Sequence, residues 1–347
     1  MKLAIIGWRP WSVAQAYKSL IINAKRLGHQ VFGIVTDHFG DGPTTASLFH
    51  DLGVPTGDCS NNVLDKFNPD AVFGECFWGQ EKLALEWAKA RGKRYFALDH
   101  GKITGTTLDG YNNVKPPSTM LTVNETNARV LEQEYGIKAV PVGLPNFDLD
   151  FEINKNSIKK ELGVTNQATV GLFLDMDKRN YERLDQFLVL ANKKKWKVFG
   201  HLHPEEQGRK FKHLDMGHPR YSYLMTLQDR GVTFVSCIPG NFNGLKLKHC
   251  GPIALMRFVD IVSGDYVNTI FNAYAVGKKY FWIVGREDVD KFPFPCPHLV
   301  ISGPEYKEVI EAVEGGTSSI VQDPEYVRRW FYKLDGRSWE RILGLLK

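Results

Sequence analysis

The amino-acid sequence predicts an α/β protein of two doubly wound, Rossmann-like domains facing a central cleft, with a C-terminal helix crossing back. Three observations carry this. Short apolar runs alternate with helix-length segments, the βαβ signature of a parallel sheet. The alternation breaks once, at "LPNFDLDFEINKNS", and then restarts. The length of 347 residues fits two domains, at roughly 150 residues each.

In the first series, "KLAIIGW" is a strand, 12–27 its helix, Gly28 the stop and "HQVFGIVTD" the next strand. "PDAVFGE", a helix around 80–91, "RYFALDH", "TMLTVNE", a helix around 124–135 and "KAVPVG" continue it. The Pro, Asn and Asp of the interruption read as a crossover. A helix over 156–162, strand "ATVGLFLDM", a helix over 182–194 and strand "WKVFGHLH" open the second series. Residues 205–230 read as irregular, charged and aromatic. Strand "VTFVS", a loop over 237–250, strand "DIVSGD", a helix over 267–276 and strand "KKYFWIVG" follow. Residues 304–347 read as an amphipathic, helix-rich tail. The expected organisation is an acceptor-side domain over 1–148, a nucleotide-donor domain over 149–325, and a returning helix over 326–347.

Composition narrows the class. An apolar share of 43% and a charged share of 24% are those of a soluble globular protein. The net charge of +5 comes from Lys and Arg spread along the chain. It suits phosphorylated substrates, anionic headgroups or DNA without selecting among them. Cys59, Cys76, Cys237, Cys250 and Cys296 are odd in number and form no C-x-x-C pair. They exclude a disulfide framework and a zinc knuckle, and fit a reducing compartment. No apolar run approaches the roughly 18 residues of a membrane span, and the N-terminal run is too short for a signal-peptide core. The expected location is cytoplasmic, with peripheral membrane contact left open.

Ligands of doubly wound sheets sit outside the carboxyl ends of the strands, so the loops after strands carry the candidates. "GWRPWS" lacks G-x-G-x-x-G, and the chain has no G-x-x-x-x-G-K-[ST]. A dinucleotide fingerprint and a P-loop are therefore unsupported. Trp8, Arg9 and Trp11 still stand where an acceptor or an anion would bind. In "LDHGKITGTT", His100 precedes a glycine at a strand's end and can take a proton near neutral pH. Asp99 points to the other face if the strand persists. His201 and His203 alternate with Leu202 and could begin a metal site, but no third ligand is evident. His203, beside Pro204, reads instead as a hydrogen-bond donor to a phosphate. Ser263, Asp265, Asn268 and Thr269 surround a helix start, which makes an anion cradle or a plain N-cap. In "FLDMDKRNYE", Arg179 is the candidate for neutralising a diphosphate.

Taken in order, "DHG", "VGLPNFD", the basic loop, "LHP", "DIVSGDYVNTIFNAYAVGKK" and "FYKLDGRSWERI" resemble the CDP-glycerol glycerophosphotransferase (teichoic-acid polymerase-like) family and its GT-B-fold relatives. The resemblance spans about residues 98–345. It implies a GT-B transferase in which His100 is the base on the acceptor hydroxyl. By the same resemblance His203 and Arg179 bind the donor diphosphate, and 265–272 holds the nucleotide phosphate and ribose. The sequence departs where the family's Ser-Ser pair is Val267-Asn268 and its acidic residue is Asn272. An amide bonds a ribose hydroxyl more weakly than a carboxylate does, so the donor need not be CDP-glycerol.

The expected reaction is transfer of a sugar or polyol-phosphate from a UDP- or CDP-linked donor to a hydroxyl, for surface glycan or polymer synthesis. It uses no cofactor and no metal. The acceptor is a glycan, a polyol phosphate or hydroxylated bases in DNA, as in phage-type DNA glycosyltransferases. A nucleotide-sugar 2-epimerase remains the non-transferase alternative. It requires acid/base carboxylates that the sequence alone does not locate.

Overall fold

The computed structural model describes residues 1–37, 40–75, 80–99, 119–148, 155–174, 181–202, 219–237, 240–264, 267–283 and 296–347. The chain divides into two units. One is Met1–Phe151 together with Asp323–Lys347; the other is Glu152–Gln322.

Strands β1 (Lys2–Gly7), β2 (Gln30–Val35), β3 (Thr56–Asp58), β4 (Ala71–Gly74), β5 (Arg94–Leu98), β6 (Thr119–Thr122) and β7 (Ala139–Pro141) form the sheet of the first unit. Their order is β3-β2-β1-β4-β5-β6-β7, with every pair parallel. Helices cover both faces, so the central strands β1, β4 and β5 are buried along nearly their whole length rather than alternating. In β1, Leu3 and Ile5 enter one core while Ala4 and Ile6 enter the other. The order reverses between β1 and β4, the switch point where such sheets open a crevice.

The second unit contains β8 (Thr169–Phe173), β9 (Lys197–His201), β10 (Thr233–Ser236), β11 (Gly240–Phe242), β12 (Leu245–His249), β13 (Ile261–Gly264), β14 (Tyr280–Trp282) and β15 (Leu299–Ile301). Their order is β11-β12-β10-β9-β8-β13-β14-β15, parallel except for the β11–β12 hairpin. Its switch point lies between β8 and β13.

Several expectations change. The helix over 12–27 is two pieces, a π-turn at Ser12–Ala16 and an α-helix at Lys18–Arg26. Tyr17 N–H reaches back to the Ser12 carbonyl at 2.9 Å, which widens the turn by one residue. The stretch 205–230 ends in a helix, Pro219–Asp229, rather than irregular chain. Tyr221, Leu224 and Leu227 are buried, but so is Arg220, and that charge hides the helical period. Proline at its first position starts it without loss, because the N–H it lacks has no partner there. The loop over 237–250 is the β11–β12 hairpin. Its turn, Asn243-Gly244, has both residues at positive φ (53° and 102°), as a two-residue hairpin turn requires. Helices Gly42–Asp51, Asn61–Phe67 and Pro252–Phe258 and strands β3 and β15 are additional elements.

The C-terminal segment packs on the first unit. Ile342, Leu343 and Leu346 share a core with Leu3, Ile5 and Leu20. Asp148 accepts from Ser338 N–H (3.0 Å) and Trp339 N–H (2.8 Å) at the start of the last helix, Ser338–Gly344. Arg94 donates to the carbonyls of Leu345 (2.8 Å) and Leu346 (2.7 Å) beyond its end. "VGLPNFD" and "DGRSWERI" therefore meet: Arg341 Nε donates to the Val142 carbonyl at 2.8 Å. Gly143 has φ +88°, and a Cβ there would sit 3.0 Å from Ser338 Oγ. Two of the motifs behind the family resemblance thus form a structural clasp.

Candidate functional site

The first unit opens a pocket at its switch point, of about 410 Å³ counted out to its mouth and lined by Trp11, Gln15, Glu75, Asp99, Val123 and Asn146 among others. Trp11 follows β1, Glu75 follows β4 and Asp99 follows β5, so the lining comes from loops at the carboxyl edge, where the topology places a ligand.

Glu75 is 1% exposed. Burial, reinforced by the charge of Glu81, pushes its carboxyl up to about 8, while a hydrogen bond from Ser12 and the charge of Arg9 pull the other way. It is thus a carboxylic acid, rather than a carboxylate, at neutral pH. The strand end is tightly built. Tyr17 OH donates to the Gly74 carbonyl, and Glu75 N–H donates to Glu81 Oε2 at 3.2 Å. A Cβ on Gly74 would meet Tyr95 OH at 2.2 Å, so only glycine lets the chain pass. Asp99, 9% exposed, accepts from Asn127 Nδ2 at 3.1 Å. Two acids of different surroundings therefore line one pocket, the arrangement from which acid and base roles separate.

The predicted acceptor-side residues fall around this pocket. Trp11 lines it. Arg9 lies over the Trp8 ring at 4.1 Å, and its backbone N–H donates to Ser12 Oγ at 3.3 Å. Its charge is felt at Glu75. His100 lies outside the described residues, as do His203, Arg179 and Asp265 of the donor set.

The remaining donor-set residues belong to the second unit. Ser263, at the end of β13, is fully buried and its hydroxyl donates to the Phe281 carbonyl at 2.9 Å. Gly264 follows because a Cβ there would stand 2.1 Å from the Phe173 carbonyl. Thr269 is 6% exposed, and its Oγ1 donates to Tyr280 OH at 2.9 Å. It lies with Asn268 in the first turn of helix Val267–Ala275, and Asn272 is half-buried one turn on. His201 is buried and stacks on Phe173 at 5.6 Å, across the β8–β9 pair. That makes it part of the wall. Among the described residues, no three His, Cys, Asp or Glu side chains cluster as a metal set, and no helix is long and apolar enough to cross a membrane.

Glu75 and Glu81 are the residues that sequence reasoning passed over. The available signal was an acid directly after a strand-ending glycine in "VFGE", repeated one strand later by the acid of "ALD".

No family model matches the sequence, and no curated protein matches it. Solved structures share its fold along its whole length. The UDP-GlcNAc 2-epimerase from Neisseria meningitidis bound to UDP-GlcNAc is 14% identical, with a TM-score of 0.61, covering 100% of this chain and 99% of that one. The UDP-GlcNAc 2-epimerase from Methanocaldococcus jannaschii is 17% identical, with a TM-score of 0.59 over 100% and 99%. The glycosyltransferase from Rickettsia africae ESF-5 is 12% identical, with a TM-score of 0.54 over 100% and 97%. The chain has the two-domain, GT-B-like α/β fold of these proteins. Nothing in these comparisons singles out the CDP-glycerol glycerophosphotransferase family.

Proposed function

We propose that this protein is an enzyme acting on a nucleoside-diphosphate sugar, with acid/base chemistry in the pocket of the first unit. The observation that carries the reading is the pair Glu75 and Asp99, lining one pocket at the ends of adjacent strands. Asp99, held by an amide N–H, is the base. Glu75, kept protonated by burial, is the acid. A base takes a proton from the sugar carbon next to the anomeric centre while the electron pair expels the diphosphate. An acid then returns a proton to the opposite face as the diphosphate adds back, which leaves composition unchanged and alters configuration. That is epimerase-type chemistry, and it supplies the carboxylates that the sequence reading could not locate. The fold shared with proteins described as UDP-GlcNAc 2-epimerases supports it. The nucleoside diphosphate is proposed at the carboxyl edge of the second unit, with Asn268, Thr269 and Asn272 on helix Val267–Ala275 and with Arg179, His203 and Asp265.

Group transfer to a hydroxyl is the second reading. It is supported by the fold shared with a described glycosyltransferase and by His100, next in the chain to Asp99. Transfer needs one base and makes no demand for a protonated Glu75.

Incubation with UDP-sugars and CDP-glycerol in D₂O separates the two. Epimerisation puts solvent deuterium into the sugar without an acceptor. Transfer incorporates none, and only when an acceptor hydroxyl is present does it release UDP from a UDP-sugar or CMP from CDP-glycerol. Loss of a general acid or base typically costs ~10²–10⁴-fold in rate, so Glu75→Gln and Asp99→Asn should each fall by that order. Full turnover in both variants would remove the pocket from the chemistry.

A further inference from the structure

The peptide between Gly74 and Glu75 is held on both edges. Tyr17 donates its phenol to the Gly74 carbonyl, and the N–H of the same peptide bond, on Glu75, points at the Glu81 carboxylate, 3.4 Å from Oε1 and 3.2 Å from Oε2. Pinning oxygen and N–H of one planar unit fixes its rotation, and with it the direction in which Glu75 leaves the strand. Glu81 opens helix Glu81–Ala90 and is 0% exposed. It also accepts from Tyr95 OH at 3.3 Å. Tyr95 is itself fully buried, and its phenol closes over Gly74. A carboxylate accepts without donating, so a peptide N–H and a phenol suit it in its charged form.

We propose that Glu81 is the positioning residue of this pocket, setting both the direction and the protonation state of Glu75 without touching substrate. The proposal rests on Glu75 being the acid of the proposed reaction. Its electrostatics follow from who faces Glu75 among the described residues. Arg9, from the loop after β1, favours the charged form, as does the Ser12 hydroxyl. Glu81, from the helix, opposes it. Asp99 lines the same pocket from the end of β5. Tyr17 is engaged with the Gly74 carbonyl and Tyr95 with Glu81, both as neutral phenols donating. Removing the charge of Glu81 takes away its opposition and leaves Arg9.

The infrared carbonyl band of a buried, protonated carboxylic acid reads Glu75 directly, without any substrate. In the intact protein, Glu75→Gln should abolish the band that titrates near pH 8. Glu81→Gln should move that midpoint down by about one pH unit or more, the scale of a near like-charge interaction. It should also move the alkaline limb of the rate profile by the same amount. Glu81→Asp keeps the charge but cannot reach the peptide N–H. It should leave the midpoint near its original pH while kcat falls with KM unchanged.

An unmoved midpoint in a folded Glu81→Gln protein overturns the proposal. Should that variant fail to fold, unchanged kcat in Glu81→Asp overturns it equally. The two readings fail separately. If the band behaves as described but turnover ignores Glu75→Gln, the positioning role stands and the proposed function falls. If Glu75→Gln abolishes turnover while Glu81→Gln leaves the midpoint in place, the function stands and the positioning role falls.

Discussion

Two buried titratable residues bias stability in opposite directions. Glu75 rises from 4.5 in the unfolded chain to about 8 in the folded one. Between those pH values the unfolded chain has lost a proton that the native state keeps, so the contribution, full below pH 4.5, is lost as pH rises through 8. The slope is at most about 1.4 kcal/mol per pH unit. His298, 2% exposed and bonded through Nε2 to the Ile270 carbonyl at 2.6 Å, falls from 6.5 to about 4 because burial disfavours its charged form. Its contribution, full above pH 6.5, is lost as pH falls through 4. The two windows overlap between 4.5 and 6.5, where they offset each other. Glu75→Gln should therefore lose less stability than wild type from pH 6.5 to 8, and His298→Gln less from pH 6.5 to 5. Denaturant unfolding at the three pH values checks both, and parallel curves in either comparison refute that assignment. The shifted titration of neither residue was legible in the sequence. A single acid or histidine acquires its character from burial, and burial at one position leaves no periodic trace.

At the scale of elements, the terminal helix Ser338–Gly344 is only seven residues long, too short to persist alone. Its position is set by what holds its ends. Asp148 meets the positive N-terminus and Arg94 the carbonyls at the other end, which is the charge order a helix dipole favours. Burial lifts the Asp148 carboxyl above its ordinary range, and the N–H groups of Ser338 and Trp339 draw it back. Asp148→Ala removes a cap and should cost about 1–2 kcal/mol. Limited trypsin digestion gives a local readout, with cleavage at Arg337 or Arg341 accelerated in Asp148→Ala and in Arg94→Ala. Cleavage at the wild-type rate would show that packing alone holds the helix. Elements marked by an apolar run or a helix-length segment were readable from the sequence, including β1, β2, β4 and helix Glu125–Tyr135. Those missed had their signal masked, as buried Arg220 does in Pro219–Asp229, or depended on a turn residue pair, as Asn243-Gly244 does for the hairpin.

The whole molecule follows from one topological fact: the first unit is made of two chain segments and the second of one. The alternation of runs revealed the two doubly wound sheets, because central strands such as β1, β4, β8 and β9 are apolar on both faces. It could not reveal the clasp, because 142–148 and 335–341 meet only when the chain has left the first unit and returned. The return completes a core. Ile342, Leu343 and Leu346 are buried against residues of β1 and of helix Lys18–Arg26. Trp330 lends its carbonyl to Asn124 Nδ2 at 3.1 Å, and Phe331 is fully buried. Residues 1–151 alone would expose that apolar surface and leave Asp148 without the helix it caps. The second unit draws both of its cores from its own segment. A chain of 152–322 should therefore unfold cooperatively by itself, whereas 1–151 should not. Joining 323–347 to 1–151 through a flexible linker should restore a sharp transition. Far-UV circular dichroism along a denaturant series measures all three. A sharp transition in 1–151 without the tail would mean that the returning segment decorates a finished domain instead of completing one.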